Sequence, residues 1–380
     1  MKVGTSTVLA FDSREARSPH AAVPLEVETS ASVQFVPRTD HIPVLDGLRG
    51  IAVLLVLWSH LEAVTAHTPL RFVDYVLQPG YLGVDIFFVL SGFLITRILL
   101  SNRARRRPVK NFLIRRFLRI FPIYYLTVLV VGFWHPGAYV WWCAVYLSNF
   151  YLPFNPRPVP LGHTWSLAVE EHFYLVWPWV VQKLSWRTSR AVALWGVLPV
   201  AVIAASIALA VGPRVTMGRF IYMGTIFRAS SLALGALFAF HEGWLRANTR
   251  NCWRVFGWML LPALIILPLG EFVFEGLIPL TKMVGFSILC SAILSAALAL
   301  RDASTWPARV LRSAALTFVG RISYGLYLYH APIFNAFGLV RHGYAAAHTG
   351  AFAVLATFVV ATVSFYAFEQ PLLRLKERFQ

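Results

Sequence analysis

Stretches of about 20 apolar residues recur along most of this 380-residue chain, and they constrain the fold more than any other feature. A helix of that length crosses the hydrocarbon core of a membrane. Backbone groups that face lipid must be hydrogen-bonded within their own segment, so helices are the expected element. Only 13% of the residues are charged and 58% are hydrophobic, which excludes a water-soluble globular enzyme. We therefore predict an all-α polytopic membrane helical bundle.

The apolar stretches predict about ten transmembrane helices. Their ranges are 42–64, 81–100, 117–134, 165–181, 191–211, 226–241, 255–269, 283–300, 315–334 and 351–368. A further stretch at 138–152 is apolar but short and aromatic. Because Trp and Tyr are enriched where a membrane meets water, we interpret this stretch as re-entrant or interfacial on the outer side.

The chain carries 34 Lys and Arg residues against 17 Asp and Glu residues, a formal charge of +17. Such an excess can indicate nucleic acid, acidic lipid, an anionic substrate or cytoplasmic loops. With the predicted spans and a cytoplasmic N-terminus, most basic residues fall in cytoplasmic loops, as membrane topology favours. We therefore predict cytoplasmic N- and C-termini, a multi-pass protein of the cell inner (plasma) membrane, and no nucleic acid partner.

The predicted domain organisation is simple. Residues 1–41 form a disordered cytoplasmic tail without the features of a secretory signal, residues 42–370 the membrane domain, and residues 371–380 a short basic cytoplasmic tail. The three cysteines show no CxxC spacing, so we expect neither a disulfide framework nor a metal site. The sequence does not indicate an oligomeric state.

Ionisable residues inside the spans are functional candidates, because each costs at least about 2.5 kcal/mol in the membrane. Arg49 and His60 lie on one face of the first span, about 16 Å apart. Arg49 could instead be an interfacial anchor, and His60 a hydrogen-bonded packing histidine. In the second span, Asp85 reaches a depth close to that of His60, and Arg97 lies at the inner end.

Small residues accompany Asp85 in the second span. Gly83 and Gly92 allow close helix approach, an ordinary packing role. Ser91 is expected to bond a backbone carbonyl one turn earlier, although it is also a candidate for ligand binding. Before the third span, Arg116 and Arg119 are one turn apart and offer a two-pronged site for phosphate oxygens. A basic loop at this place is also what topology alone requires.

The fourth span contains three adjacent ionisable residues, Glu170, Glu171 and His172, in an otherwise apolar helix. Packing alone does not account for them. Adjacent helical residues diverge by about 100°, so one glutamate can face a site while the other pairs with an arginine or a tyrosine. The ninth span ends in tyrosines and a histidine, which are either an aromatic belt or the lining of a substrate site.

The candidates form two layers. The inner layer is cationic and consists of Arg49, Arg97, Arg116 and Arg119, whereas the deeper layer holds His60, Asp85 and one of the two glutamates. This layering suggests an anionic ligand that enters from the cytoplasm and places its reactive end among titratable groups.

The motifs resemble those of the membrane-bound acyltransferase 3 family over residues 44–370. They are DGLRG with Arg49 and His60, GVDIFFVLSGFLI, RRFLRIFPIYYL, TWSLAVEEHFYLVWP and SYGLYLYHAPI, in the order of the family. The resemblance implies a ten-helix bundle that moves an acyl group, commonly acetyl, from acyl-CoA to a hydroxyl of a carbohydrate or other small acceptor. The chain departs from the family pattern at His172, where glutamine is usual.

In the family that these motifs resemble, the counterparts of Arg49, His60, Arg116 and Arg119 are regarded as essential, and the other roles are our hypotheses from the residues themselves. The expected catalytic residues are His60, Glu170, Glu171 and Asp85. His60 is the expected general base, and Glu171 or Asp85 is expected to orient its ring. The expected binding residues for coenzyme A are Arg49, Arg116, Arg119, Arg97 and Ser91. The expected substrate-binding residues are Tyr324, Tyr327, His330 and Trp165. Acyl-CoA is then a donor substrate, with no permanently bound cofactor and no metal.

The competing interpretation is a proton-coupled transporter of a lipid-linked or small-molecule substrate, because buried His, Asp and Glu residues also form proton relays. Inverted repeats would favour it, and the two halves of the sequence share no matching motif. The acceptor, the acyl chain length and the choice between direct transfer and an acyl-histidine stay open. Because the chain ends at Gln380, we expect any second catalytic step to need a separate protein.

Overall fold

The computed structural model describes residues 41–62, 79–104, 107–339 and 347–375. Every regular element in these residues is helical, and none of them forms a strand. The predicted all-α class is therefore confirmed. The predicted tail at 1–41 lies outside the described residues except for its last position, as do residues 376–380 of the predicted C-terminal tail.

The described residues form eighteen α-helices. They are α1 (Pro43–Glu62), α2 (Pro79–Ser101), α3 (Pro108–Trp134), α4 (Ala138–Ala144), α5 (Ser148–Tyr151), α6 (Trp165–Lys183), α7 (Trp186–Ala191), α8 (Leu198–Val211), α9 (Arg214–Met223), α10 (Thr225–Phe240), α11 (Glu242–Ala247), α12 (Thr249–Phe272), α13 (Ile278–Ala299), α14 (Trp306–Leu311), α15 (Ala314–Arg321), α16 (Ser323–Ala336), α17 (Ala347–Ser364) and α18 (Gln370–Leu375). Two π-helical stretches, Val192–Val197 and Phe365–Glu369, continue α7 into α8 and α17 into α18.

Eight helical segments of the described chain are long and apolar enough to cross a membrane. They are Pro43–Leu61, Leu82–Ser101, Pro108–Trp134, Trp186–Val211, Arg214–Phe240, Thr249–Gly270, Glu275–Ala299 and Thr349–Leu372. The two other predicted spans are helical as well. The predicted span 165–181 lies in α6, which is more polar than the eight segments because it contains adjacent charged residues. The predicted span 315–334 is divided at Ile322 into α15 and α16. The chain is a polytopic helical membrane protein.

As the sequence predicted, the aromatic stretch at 138–152 does not form a spanning helix. It consists of two short helices, α4 and α5, separated at Tyr146, which has a positive φ of 55°. Two tyrosines of α3 hold its first helix in place. Tyr124 donates a hydrogen bond to the Cys143 carbonyl (2.7 Å) and Tyr125 donates to the Ala144 carbonyl (3.0 Å), so the end of α4 keeps its acceptors satisfied.

Helix α2 lies at the centre of the described bundle and packs against α1, α10, α13 and α6. Glycines allow the backbones to approach closely. A Cβ atom at Gly92 would lie 1.9 Å from the Leu232 carbonyl oxygen, and one at Gly235 would lie 2.0 Å from the Val89 carbonyl oxygen. Gly83 makes a similar contact with α1, at 2.6 Å. The predicted packing role of Gly83 and Gly92 is confirmed.

We expect Gly92→Ala to destabilise the bundle by about 1–3 kcal/mol, because α2 and α10 would have to move apart. Gly257→Ala is the matched control, since a Cβ at Gly257 meets nothing within 4 Å. That control should be neutral or stabilising by up to about 1 kcal/mol through helix propensity. The measurement is thermal unfolding of both variants in one detergent, and equal midpoints would contradict the close α2–α10 contact.

Candidate active site

A cavity of about 200 Å³ lies between α1, α2, α3, α6 and α16. Three arginines enter it, Arg49 from α1 and Arg116 and Arg119 from α3. The rest of its wall is largely apolar and includes Val84, Phe87, Phe88, Leu90, Leu94, Ile95, Ile98, Ile120 and Leu167. The cavity therefore combines a cationic end with an apolar wall, a pairing that suits a ligand with phosphates on a long arm.

The three arginines are held by neighbours of different kinds. Arg49 donates from its Nη2 to the Ser323 hydroxyl (3.2 Å). The Arg116 guanidinium lies over the rings of Phe112 and Tyr174, 5.5 and 5.4 Å from their centres. The one-turn spacing of Arg116 and Arg119 brings both into the same cavity.

A chain of polar side chains runs from α2 to α6 beneath the arginines. The hydroxyls of Ser91 and Tyr174 are 2.7 Å apart, and Tyr174 donates to the Glu170 carboxylate at 2.8 Å. Ser91 thus bonds a side chain rather than the expected backbone carbonyl. Glu170 also interacts electrostatically with Arg116 and Arg49, and within the described residues no hydrogen bond joins it to His60.

Sequence reasoning missed Glu369, which is buried at the end of the π-helical stretch after α17. Its carboxylate interacts electrostatically with Arg119 and Arg49. Glu369 lies close to the C-terminal edge of the last predicted span, where a charged residue looks like an ordinary helix terminus. Only the packing of that helix against α3 and α16 shows that it belongs to the arginine site.

Two tyrosines of α16 line the cavity, as the sequence suggested. Tyr324 donates to the Ile120 carbonyl (3.1 Å) and so joins α16 to α3. The Tyr327 hydroxyl donates to the His163 carbonyl (3.1 Å) and lies 2.5 Å from the Ser166 hydroxyl. Ser166 and Tyr327 belong to the lining, but His60 does not. The arginines and His60 therefore do not share this cavity, and Tyr327 lies between the cavity and the histidines, its ring centre 5.5 Å from those of His163 and His330.

Three histidines form a cluster on the other side of Tyr327. The ring centres of His60 and His330 are 4.7 Å apart, and those of His330 and His163 are 4.9 Å apart. His330 is fully buried, whereas His60 is exposed at the end of α1. His163 was missed because it lies just before the fourth predicted span. Among the described residues, no group of His, Cys, Asp or Glu side chains is arranged to hold a metal ion.

One ring nitrogen of each histidine in the cluster lies within hydrogen-bond distance of a backbone carbonyl. Because a carbonyl oxygen can only accept, that nitrogen carries the ring hydrogen. His60 Nδ1 lies 2.9 Å from the Val56 oxygen, His330 Nδ1 2.6 Å from the Tyr327 oxygen, and His163 Nε2 3.1 Å from the Leu328 oxygen. Burial lowers the pKa of His163 to about 3, so this imidazole is neutral near pH 7. In a neutral ring held in this way, the opposite nitrogen is the proton acceptor.

The expected carboxylate partner of His60 requires a correction. No hydrogen bond joins His60 to Asp85 or Glu171 within the described residues; the Val56 carbonyl orients its ring instead. Glu171 lines the arginine cavity. Asp85 is fully buried and pairs with Arg228 of α10 at 2.6 Å, while also accepting a hydrogen bond from Ser231 (2.7 Å). A side chain held in this way serves the packing of α2 against α10.

Two more predicted site residues lie outside the cavity. Arg97 donates from its Nε to both carboxylate oxygens of Glu242, at 2.9 and 2.8 Å, and does not line the arginine site. Trp165 is buried, with its ring 6.1 Å from that of Phe88 and 4.7 Å from that of Tyr222. Trp165 is therefore a packing residue here, because its indole is enclosed by α2 and α9.

We expect Asp85→Asn to lower the free energy of unfolding by about 3–5 kcal/mol, because it leaves Arg228 buried opposite a neutral group. The double variant Asp85→Leu with Arg228→Met should recover much of that loss, since it removes both charges. The measurement is thermal unfolding together with activity per folded molecule. A stable but inactive Asp85→Asn protein would instead support the catalytic role first predicted for Asp85.

Taken together, the fold and the site define a polytopic membrane protein with an arginine-lined cavity beside a cluster of three histidines, two of which are buried. A family model described as an acyltransferase domain matches residues 42–369. The chain belongs to the acyltransferase 3 family, as its motifs predicted.

Two curated relatives are similar over most of the chain. The peptidoglycan O-acetyltransferase OatA of Listeria monocytogenes is 28% identical over 367 residues, which cover 87% of this chain and 56% of the relative. The O-acetyltransferase OatA of Staphylococcus aureus is 28% identical over 377 residues, covering 89% of this chain and 58% of the relative. The chain thus spans somewhat more than half the length of these proteins. No solved structure shows significant similarity to it.

Proposed function

We propose that the chain is a plasma-membrane O-acetyltransferase that moves an acetyl group from acetyl-CoA to a hydroxyl of a cell-envelope carbohydrate. The observation that carries the proposal is the convergence of Arg49, Arg116 and Arg119 on one cavity that is also lined by Tyr327, whose ring packs against the histidine cluster. Membership of the acyltransferase 3 family and the names of the OatA relatives support the reaction class.

In this proposal, the arginines bind the phosphates of coenzyme A. Guanidiniums form strong charge-assisted hydrogen bonds with phosphate oxygens. Glu170 and Glu369 keep the arginines oriented before the donor arrives, because each carboxylate acts on two of them. The apolar wall formed by α2 and α3 then accommodates the uncharged arm and directs the thioester toward Tyr327.

The proposed chemistry takes place at His60. The Nε2 atom accepts the proton of the acceptor hydroxyl, because the Val56 carbonyl holds the ring hydrogen on Nδ1. The hydroxyl oxygen attacks the thioester carbonyl carbon, the carbon–sulfur bond breaks, and the leaving thiolate takes the proton back from His60. In this proposal, the Tyr327 side chain turns away from Ser166 to bring the thioester to His60, because Tyr327 lines the cavity and His60 does not.

The other two histidines are suited to position the acceptor. Within the described residues, His330 Nε2 and His163 Nδ1 are buried atoms without a hydrogen-bond partner. Buried acceptors of this kind are costly unless a ligand or water satisfies them. We assign them to hydroxyl groups of the carbohydrate, which approaches from the exposed side of His60.

We expect His60→Ala to reduce transfer by about 10²–10⁴-fold, the usual contribution of a general base, with the protein still folded. The assay is thiol release from acetyl-CoA by detergent-solubilised protein with a glycan acceptor. His241→Ala is the matched control, because His241 also bonds the carbonyl four residues earlier (2.8 Å) but lies at the end of α10. Normal turnover by His60→Ala would remove the base assignment. A transporter would release no thiol even as wild type.

We expect Arg116→Ala combined with Arg119→Ala to raise the dissociation constant for acetyl-CoA by at least about a hundredfold, because two charge-assisted contacts are lost. Binding is measured by calorimetry on purified protein. Arg115→Ala is the adjacent control, since Arg115 lines a different depression on α3. If the double variant binds acetyl-CoA like the control, the phosphates are held elsewhere.

A further inference from the structure

Four tyrosine side chains surround Glu171 of α6. They come from α3, from the turn between α4 and α5 and from α16, and Glu171 interacts electrostatically with each of them: Tyr124, Tyr125, Tyr146 and Tyr324. Three of the four donate their hydrogen to a backbone carbonyl, Tyr124 at 2.7 Å, Tyr125 at 3.0 Å and Tyr324 at 3.1 Å. Tyr146 differs, because its hydroxyl has no hydrogen-bond partner within the described residues.

The unpartnered hydroxyl of Tyr146 is a buried donor. The residue is only 6% exposed. Burial, and next the nearby Tyr324 and Glu171, raise the pKa of Tyr146, so the hydroxyl keeps its hydrogen near pH 7. A buried donor without an acceptor loses its bond to water and gains nothing in return. The hydroxyl therefore destabilises the empty protein.

Packing explains the ring of Tyr146 but not its oxygen. The ring stacks on Tyr124, with centres 4.3 Å apart, and lies 5.4 Å from Phe121. A phenylalanine would make the same ring contacts without the unsatisfied group. The backbone adds a further cost, because φ at Tyr146 is 55°, a left-handed conformation that bulky residues seldom adopt. A strained residue with an unused donor is a candidate for a role in another state of the site.

Glu171 is the acceptor that suits this donor. Its carboxylate lines the arginine cavity and interacts electrostatically with Arg116 and Glu170. Glu170 accepts a hydrogen bond from Tyr174 (2.8 Å), whereas within the described residues no hydrogen bond reaches Glu171. Arg116 is therefore the favourable charge beside Glu171, and it is also one of the residues assigned above to the donor phosphates.

We propose that Tyr146 is a positioning residue that donates a hydrogen bond to the Glu171 carboxylate when acyl-CoA occupies the cavity. The proposal rests on the proposed function, in which Arg116 binds a phosphate. A phosphate at Arg116 competes with Glu171 for the guanidinium and repels its carboxylate. A turn of the Glu171 side chain toward Tyr146 replaces the lost attraction with a charge-assisted hydrogen bond. Arg116 is then free for the donor, and the Tyr146 hydroxyl gains its acceptor.

The test is a double-mutant cycle on donor binding, with Tyr146→Phe, Glu171→Gln and their combination measured by calorimetry with acetyl-CoA. Tyr146→Phe should raise the dissociation constant at least about tenfold, because the carboxylate then keeps competing for Arg116. Glu171→Gln removes the competing charge and should bind at least as tightly as wild type. The double variant should bind like Glu171→Gln alone, since Tyr146 acts through Glu171.

Thermal unfolding without donor gives a second readout. Tyr146→Phe should leave the midpoint unchanged or raise it, because the hydroxyl has no partner in the empty protein. Tyr124→Phe removes the same atom from the stacked neighbour and should lower the midpoint, since it breaks the bond to the Cys143 carbonyl. Tyr151→Phe is the control for donor binding and should bind like wild type, because its ring stacks on Trp142 within the aromatic segment.

Several outcomes would overturn the role of Tyr146. One is a Tyr146→Phe protein that binds acetyl-CoA like wild type. Another is an equal loss of affinity with and without Glu171→Gln, which indicates a general packing effect. A lower midpoint of the empty Tyr146→Phe protein also contradicts it, since the hydroxyl would then be satisfied before the donor arrives. Wild type that binds no acetyl-CoA overturns the donor assignment itself, and with it this proposal.

Discussion

The pairing of charge inside an apolar bundle is the constraint on which this structure depends. An isolated charge among lipid-facing helices is costly, whereas a paired one can hold two helices in register. Asp85 with Arg228 joins α2 to α10, and Arg97 with Glu242 joins the other end of α2 to α11. The central helix is thus fixed at both ends, and the glycine contact with α10 sets its separation between these points.

The fixed position of α2 determines where ligands are accommodated. Its apolar face forms one wall of the arginine cavity, opposite side chains from α3, α6 and α16. Glu170 and Glu369 interact electrostatically with the arginines of that cavity. Near the other end of α2, the Glu242 carboxylate contacts Arg97, Arg246 and Arg301, so it links α2 to α11 and to the turn after α13.

The sequence was informative where a signal is local. Apolar length predicted the spanning helices, small residues predicted the close contacts of α2, and one-turn spacing predicted that Arg116 and Arg119 act together. Partnerships between distant segments were not predictable. Asp85 and Ser231 are 146 residues apart, and Arg97 and Glu242 are 145 apart, so depth in the membrane alone suggested the wrong partners for both. His163 and Glu369 were overlooked because each lies next to a helix end, where a polar residue is unremarkable.

The position of Tyr327 bears on how a membrane enzyme of the proposed kind would keep its two substrates apart. The arginines and Tyr327 line the same cavity, whereas His60 is exposed and does not line it. If the proposed transfer takes place, a Tyr327–Ser166 contact that keeps water from the bound thioester would limit wasteful hydrolysis. Because Tyr327 also donates to the His163 backbone and accepts the His330 ring hydrogen through its own carbonyl, its movement would alter the histidine cluster. Under the proposed mechanism, a movement of Tyr327 would therefore change the cavity lining and the positions of His163 and His330 together.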